Sequence, residues 1–260
     1  MIRFHRPEPA PEVLRTKGVA RRSSLASKLD ADPDAKLSFD STVYGDPSVK
    51  EVLLRAQNAK CAFCEQRVHE CKYVDVEHFR PKGEVRQSRA SAALDRGYWW
   101  LAYEWSNLLL ACEHCNSDHK STLFPLANPA QRARSPGDDL SAEQPLFIDP
   151  SQEDPLEHLR FRRHVAYAVA DSARGRCTRD ELGLNRAPLL RRREEHLNKI
   201  KALVHVARSG TSDALCERAR AALVRLAQPD AEFSAMVLIH LLDALPDAAE
   251  QARSARSSTP

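Results

Sequence analysis

The sequence lacks any apolar run of membrane-spanning length, which excludes a transmembrane helix. Its opening, Met1-Ile2-Arg3-Phe4-His5-Arg6-Pro7, lacks the apolar segment of a secretory signal, so a cytoplasmic protein is expected. A strong charge of one sign is also missing. Lys and Arg number 39 against 36 Asp and Glu, and a net charge of +3 identifies no partner. Repeats of solenoid period are absent. What remains is a globular composition, with 42% hydrophobic and 29% charged residues. A length of 260 residues allows one large domain or two small ones.

Seven cysteines are present, an odd number. Four form Cys61-Ala62-Phe63-Cys64 and Cys112-Glu113-His114-Cys115, while Cys71, Cys177 and Cys216 stand apart. In a reducing compartment this pattern favours metal over disulfides. A redox reading would need a thioredoxin-like βαβ context, which is missing. Two matched pairs fit one tetrahedral structural Zn²⁺ with four thiolate ligands at about 2.3 Å. The insert between the pairs is longer than in a simple zinc ribbon. A strand–loop–strand hairpin would return the chain to the same metal.

Charge is uneven along the chain. Residues 138–157 hold seven acids and no Lys or Arg, and 186–225 hold ten Lys or Arg against four acids. A solvated helix surface is the ordinary reading of such a basic run. Residues 1–45 are rich in Pro, Ala, Arg and Ser and read as a partly ordered N-terminal arm with one short helix near 24–29. Asp46-Pro47 reads as an N-cap followed by Pro at the first helical position. A strand is expected over 73–79, a second over 107–112, and a short helix from Cys115 to Thr122. The aromatic cluster 98–105 holds all three tryptophans and is expected to pack a core wall. Residues 127–177 read as loop and short strands, including an apolar strand at 146–149 and a hairpin from 158–162 and 165–170. From Thr178 to 246 apolar residues recur at helical spacing in three helices. Residues 247–260 are polar and expected to fray as a tail.

Between the cysteine pairs lies Val76-Glu77-His78-Phe79-Arg80-Pro81-Lys82. Neighbours on a strand point to opposite faces. A strand-end His78 can thus face substrate while Glu77 holds a metal, and neutral imidazole can take a proton from water near pH 7. With Asn107 before the second strand and Cys112-x-x-Cys115-Asn116 opening the helix, this order resembles the HNH (ββα-metal) endonuclease family. The resemblance implies an α+β fold in which a zinc-stapled ββα-metal core, 46–126, carries the arm and a mainly helical C-terminal region.

It also implies roles. His78 would be the general base, Glu77 and Asn116 ligands of a catalytic divalent metal such as Mg²⁺, and Asn107 the residue orienting His78. A common form of the motif has Asp where this chain has Glu77. His119 shares a helix face with Asn116 and is a further candidate ligand. Arg80, Lys82 and Lys120 are candidate phosphate contacts. Hydrolysis would leave 5′-phosphate and 3′-hydroxyl ends.

The likeness continues outside the core. Cys61 to Gln66, 76–82, Phe124-Pro125-Leu126, 146–150, Glu153-Asp154-Pro155 with His158, and Leu182-Gly183-Leu184-Asn185-Arg186 occur in this order. Together they resemble the PtuB-like HNH nuclease subunits of Septu-type and retron-associated anti-phage systems. That resemblance implies DNA as substrate and an ABC/SMC-like ATPase subunit as partner. Two other readings compete: a free-standing HNH restriction or mobile-element nuclease, and a non-catalytic zinc-stabilised nucleic-acid-binding module.

Overall fold

The computed structural model describes residues 1–71, 73–210 and 212–257. It is a mixed α+β structure with small antiparallel sheets. The N-terminal 45 residues are not loosely held. A wide helical turn at Leu14–Gly18 runs into α1, Val19–Ala31, and α2 follows at Ser41–Tyr44. Met1, Phe4, Leu14, Leu25 and Val43 each bury one side chain in the common core. Burying such a side chain stabilises by roughly 1.5–3 kcal/mol. Gly18 lets α1 lie close to the aromatic segment, since a Cβ there would sit 3.1 Å from Tyr103 Cβ.

Helix α3, Pro47–Ala56, starts as expected, with the Asp46 carboxylate accepting from Ser48 N at 2.9 Å. Its Val49 and Leu53 are fully buried. Strands β1, Val74–His78, and β2, Leu108–Cys112, pair antiparallel with His78 opposite Leu108 and Val74 opposite Cys112. The aromatic cluster folds into short 3₁₀ turns between the strands, and all three tryptophans are buried. After β2 comes a wide helical turn, His114–Lys120, closed by Ser121 N donating to Asn116 O at 2.7 Å.

Residues 146–149 do not form the expected strand. Leu146 N bonds Pro125 O at 2.9 Å and Ile148 N bonds Thr178 Oγ1 at 3.0 Å, so the backbone is satisfied by separate partners rather than a ladder. The expected hairpin is present as β3, Leu159–Arg162, and β4, Val165–Ala168. Helix α4, Ala173–Glu181, begins ahead of Thr178 because Ser172 caps it, accepting from Gly175 N at 3.0 Å.

Then come α5, Ala187–Arg208, α6, Asp213–Leu226, and α7, Ser234–Ala244. The stretch expected to fray is helical instead: α8, Pro246–Ser257, buries Ala248, Ala249 and Ala252. Residues 258–260 of that expected tail lie outside the described residues. No helix of the described chain is long and apolar enough to cross a membrane.

Candidate functional site

Three devices bring the two cysteine pairs together. Asn58 and Ala59 take left-handed conformations that turn the chain out of α3. The knuckle closes on itself through Cys61 N to Gln66 O at 2.9 Å, and Ala62 N docks it on β2 through Leu110 O at 3.0 Å. Buried Gln57 holds the same β2 residue, accepting from Leu110 N at 2.8 Å and donating to Leu110 O at 2.9 Å. The four buried sulfurs of Cys61, Cys64, Cys112 and Cys115 then lie within 4.8 Å of one another. Zinc–sulfur bonds of about 2.3 Å imply tetrahedral edges of about 3.8 Å, and Cys64 Sγ lies 3.8 Å from Cys112 Sγ. The donors therefore fit a tetrathiolate zinc ion.

Such a centre carries net negative charge, and the C-terminal half supplies cations. Arg186 Nη1 donates to Cys115 Sγ at 3.6 Å, and its Nη2 reaches Gln66 Oε1 at 3.3 Å. Burial works against the Arg186 charge, but the cysteine sulfurs outweigh it and raise the pKa above the ordinary arginine value. Arg193 on α5 is buried between the Phe161 and Phe233 rings, and burial lowers it to about 10 despite nearby Cys64. Arg192 pairs with Glu70 and Glu232. The basic run is thus partly internal wiring rather than a solvated face.

Cys71 stands outside this centre, donating to Arg67 O at 3.4 Å. Glu65 anchors the knuckle from behind, bonding the Met1 amino group at 2.5 Å, Lys60 Nζ at 3.5 Å and Ser234 Oγ at 3.1 Å. Burial opposes its charge, but the Met1 ammonium and Lys60 hold it well below the usual carboxylate range.

At the other end of β1, His78 is 3% exposed. Its Nε2 lies 2.9 Å from Ala102 O. A carbonyl only accepts, so Nε2 carries the proton and Nδ1 keeps a lone pair. Nδ1 faces Lys82 Nζ at 3.4 Å. Burial first, and the Lys82 charge second, depress the His78 pKa well below 6.5, so the ring is neutral at pH 7. Tyr44 packs edge-on against the ring at 4.7 Å.

Asn107 pins the chain after His78. Its Oδ1 accepts from Arg80 N at 2.8 Å, and its Nδ2 donates to Arg80 O at 3.0 Å and Leu101 O at 3.2 Å. Glu77 Oε1 receives Lys120 Nζ at 2.5 Å, and the same ammonium reaches His78 O at 2.7 Å.

A cavity of about 410 Å³ opens here, with Tyr44, Lys50, Asp75, Glu77, Lys82 and Asn116 in its lining. The sequence-derived candidates divide accordingly. Glu77, Lys82 and Asn116 line the cavity, while His78 and Asn107 are buried and not among its lining residues, His78 meeting the site through Lys82. Lys120 is fully buried and bound to Glu77, so it does not meet a phosphate. Arg80 donates to Glu143 Oε2 at 2.9 Å and lies over the Phe79, Tyr98 and Phe124 rings, a core role. His119 packs against the left-handed turn at Gly183, where a Cβ would come within 2.2 Å of its ring, and it is not among the residues lining the cavity.

Asp75, Lys50 and Tyr44 are additions that the sequence reading missed. Asp75 sits two residues from Glu77, and the period-2 rule for a strand places both on one face. Tyr44 carried no such signal.

An α+β chain with a buried four-cysteine centre beside a polar cavity is thus the class that fold and site define. Comparison with known proteins narrows it. The chain is 39% identical over 137 residues to Septu protein PtuB of Bacillus mycoides (strain KBAB4), covering 53% of this chain and 45% of that protein. It is 36% identical over 118 residues to Septu protein PtuB of Bacillus thuringiensis, covering 42% and 40%. A weaker likeness, 26% over 159 residues, joins it to Septu protein PtuA of Bacillus mycoides, covering 61% of this chain and 22% of that protein. The PtuB-like resemblance read from the motifs is borne out. The chain spans under half the length of the curated PtuB relatives it matches. No family model and no solved structure matches it.

Proposed function

We propose that this chain is a metal-assisted HNH endonuclease that hydrolyses phosphodiester bonds in DNA. The observation that carries the reading is the state of His78. One ring nitrogen is fixed as a donor by Ala102 O, and the other keeps its lone pair beside Lys82. A neutral, oriented imidazole with one lone pair is what a general base requires. Glu77 and Asn116 line the cavity that Lys82 also lines, and neither Glu77 Oε2 nor the Asn116 amide has a hydrogen-bond partner among the described residues. These hard oxygen donors fit Mg²⁺, which typically takes one or two carboxylates and completes its shell with water and phosphate. Held by Glu77 and Asn116, such an ion would supply positive charge where negative charge develops as the phosphodiester bond breaks.

The protein's own groups do the rest. A phosphate entering the cavity draws Lys82 off Nδ1 and uncovers the base. His78 Nδ1 then takes a proton from water as its oxygen bonds phosphorus, and the bond to the 3′ oxygen breaks. The departing 3′ oxygen takes a proton from solvent, so the products carry 5′-phosphate and 3′-hydroxyl ends. Asn107 keeps the 78–80 backbone in place throughout.

The likeness to PtuB and PtuA supports a role in Septu-type anti-phage defence, in the cytoplasm, beside an ATPase subunit. The test is plasmid cleavage by purified chain with Mg²⁺ and with EDTA, comparing wild type with His78→Ala. Retained metal-dependent nicking by a folded His78→Ala sinks the assignment. Co-purification with the product of a neighbouring ATPase gene tests the partner.

A further inference from the structure

A second cavity, about 780 Å³ in volume, shares no lining residue with the one beside His78. Five separate parts of the chain build it: residues 2–5, the end of α3, the segment 154–160, Pro229, and α7 with α8. Five arginines line it, Arg3, Arg55, Arg160, Arg253 and Arg256, against the two acids Asp154 and Glu157. Asp154 accepts from Leu156 N at 3.0 Å and lends counter-charge to Arg256.

Arg256 is a fixed wall, its Nε donating to Ala227 O at 2.8 Å and its Nη2 to Ser234 O at 3.1 Å. Arg55 meets Glu51 only at 3.7 Å between exposed side chains. The guanidinium groups of Arg3 and Arg160 are exposed and have no partner among the described residues. Leu156, Leu238 and Ile239 give the cavity an apolar side.

Arg3 and Arg160 bring uncompensated like charge to one cavity, and an anion of several charges relieves their repulsion. Guanidinium forks match phosphate oxygens in pairs. The volume lies within the roughly 300–1,000 Å³ of small-molecule sites. We propose that this cavity binds a nucleotide by its phosphate groups, with the base against the apolar side. A free nucleotide and the 5′-phosphorylated end of a nucleic-acid strand present the same chemistry. Helix α3 touches both cavities, with Lys50 at one and Arg55 at the other. The proposal is independent of the nuclease reading.

Isothermal titration of the full chain tests it, with ATP, ADP, adenosine, and octanucleotides with and without a 5′-phosphate as probes. ATP is expected to bind more tightly than ADP, and adenosine not at all. The double variant Arg3→Glu, Arg160→Glu is expected to weaken binding at least about tenfold. Both side chains are exposed, so the variant should keep its circular dichroism and zinc content. Binding confined to the 5′-phosphorylated octanucleotide supports the site and assigns its source to a strand end. Three outcomes overturn it: no probe binds, adenosine binds as tightly as ATP, or affinity falls with Lys82→Met and not with the arginine variant.

Discussion

His78 shows how one side chain's surroundings set both its chemistry and its pH response. Its folded pKa lies well below 6.5, by burial and then by Lys82. If His78 is the proposed base, its neutral ring is the working form and the acidic limb of a pH–rate profile should fall below pH 6.5 rather than at it. The same depression affects stability with the opposite charge logic from a salt-bridged histidine. As pH drops through 6.5, the unfolded ring takes a proton and the folded ring does not. The unfolded state then binds more protons, so stability is lost with falling pH until the folded ring titrates. Urea unfolding of His78→Ala should show a flatter acid dependence than wild type.

Lys82 gives a separable prediction. Lys82→Met removes the ammonium proposed to meet phosphate, and cleavage should fall about 10²–10³-fold with the fold intact. An unchanged kcat in the nicking assay would refute the contact. At this scale Glu77-His78 was readable as a candidate site because of Asn107, Asn116 and the cysteine pairs around it, not from the two residues alone. Lys120 was not. Nothing in 116–122, a polar run, marks the one ammonium that turns inward to Glu77.

Among the elements, the β1–β2 hairpin does two jobs from its two ends. Cys112 ends β2 at the metal centre, and Asn107 precedes it beside His78. Asn107→Ala deletes three hydrogen bonds to backbone, two at half-buried Arg80 and one at buried Leu101 O, where a group left unsatisfied costs about 1–3 kcal/mol. We expect lower thermal stability together with a loss of cleavage larger than that stability change explains, checked by calorimetry and single-turnover rates. Helix α8 makes a purely structural counterpart. Ala249 is fully buried, and Ala249→Asp places an unpaired carboxylate there, destabilising by about 3 kcal/mol or more in urea unfolding.

These elements also show where sequence reading stops. The hairpin, α3 and α5 to α7 have strong periodicity or a cap and were readable. The N-terminal segment fills the core with isolated residues such as Phe4 and Leu14, which leave no period to detect. In α8 the buried face is made of alanines, whose small apolar area reads as a polar tail. The 146–149 run is apolar without being a strand, because its amides bond to a proline carbonyl and a threonine hydroxyl.

Across the whole molecule, the four-cysteine cluster that fits zinc is a meeting point of halves. Its sulfurs come from residues 61–115, and its neighbouring cations, Arg186 and Arg193, come from beyond the β3–β4 hairpin. Removing zinc with a chelator should therefore loosen the C-terminal helices as well as the knuckle, and limited proteolysis should cut near α5 sooner in the stripped protein. Arg186→Ala should release zinc to a competing chelator more readily than wild type, while Arg225→Ala, which removes an exposed surface pair, should not. Equal release by both variants would show that Arg186 has no special part in holding the charge of the site.

That arrangement has a consequence in time. A chain emerging from the ribosome presents Cys61 and Cys64 long before Cys112 and Cys115 exist, and all four before Arg186 arrives. For that interval the thiols have neither their full ligand set nor their counter-charge. Synthesis is then the moment when the protein is most open to oxidation, and zinc supply during translation, rather than afterwards, should set the yield of intact molecules.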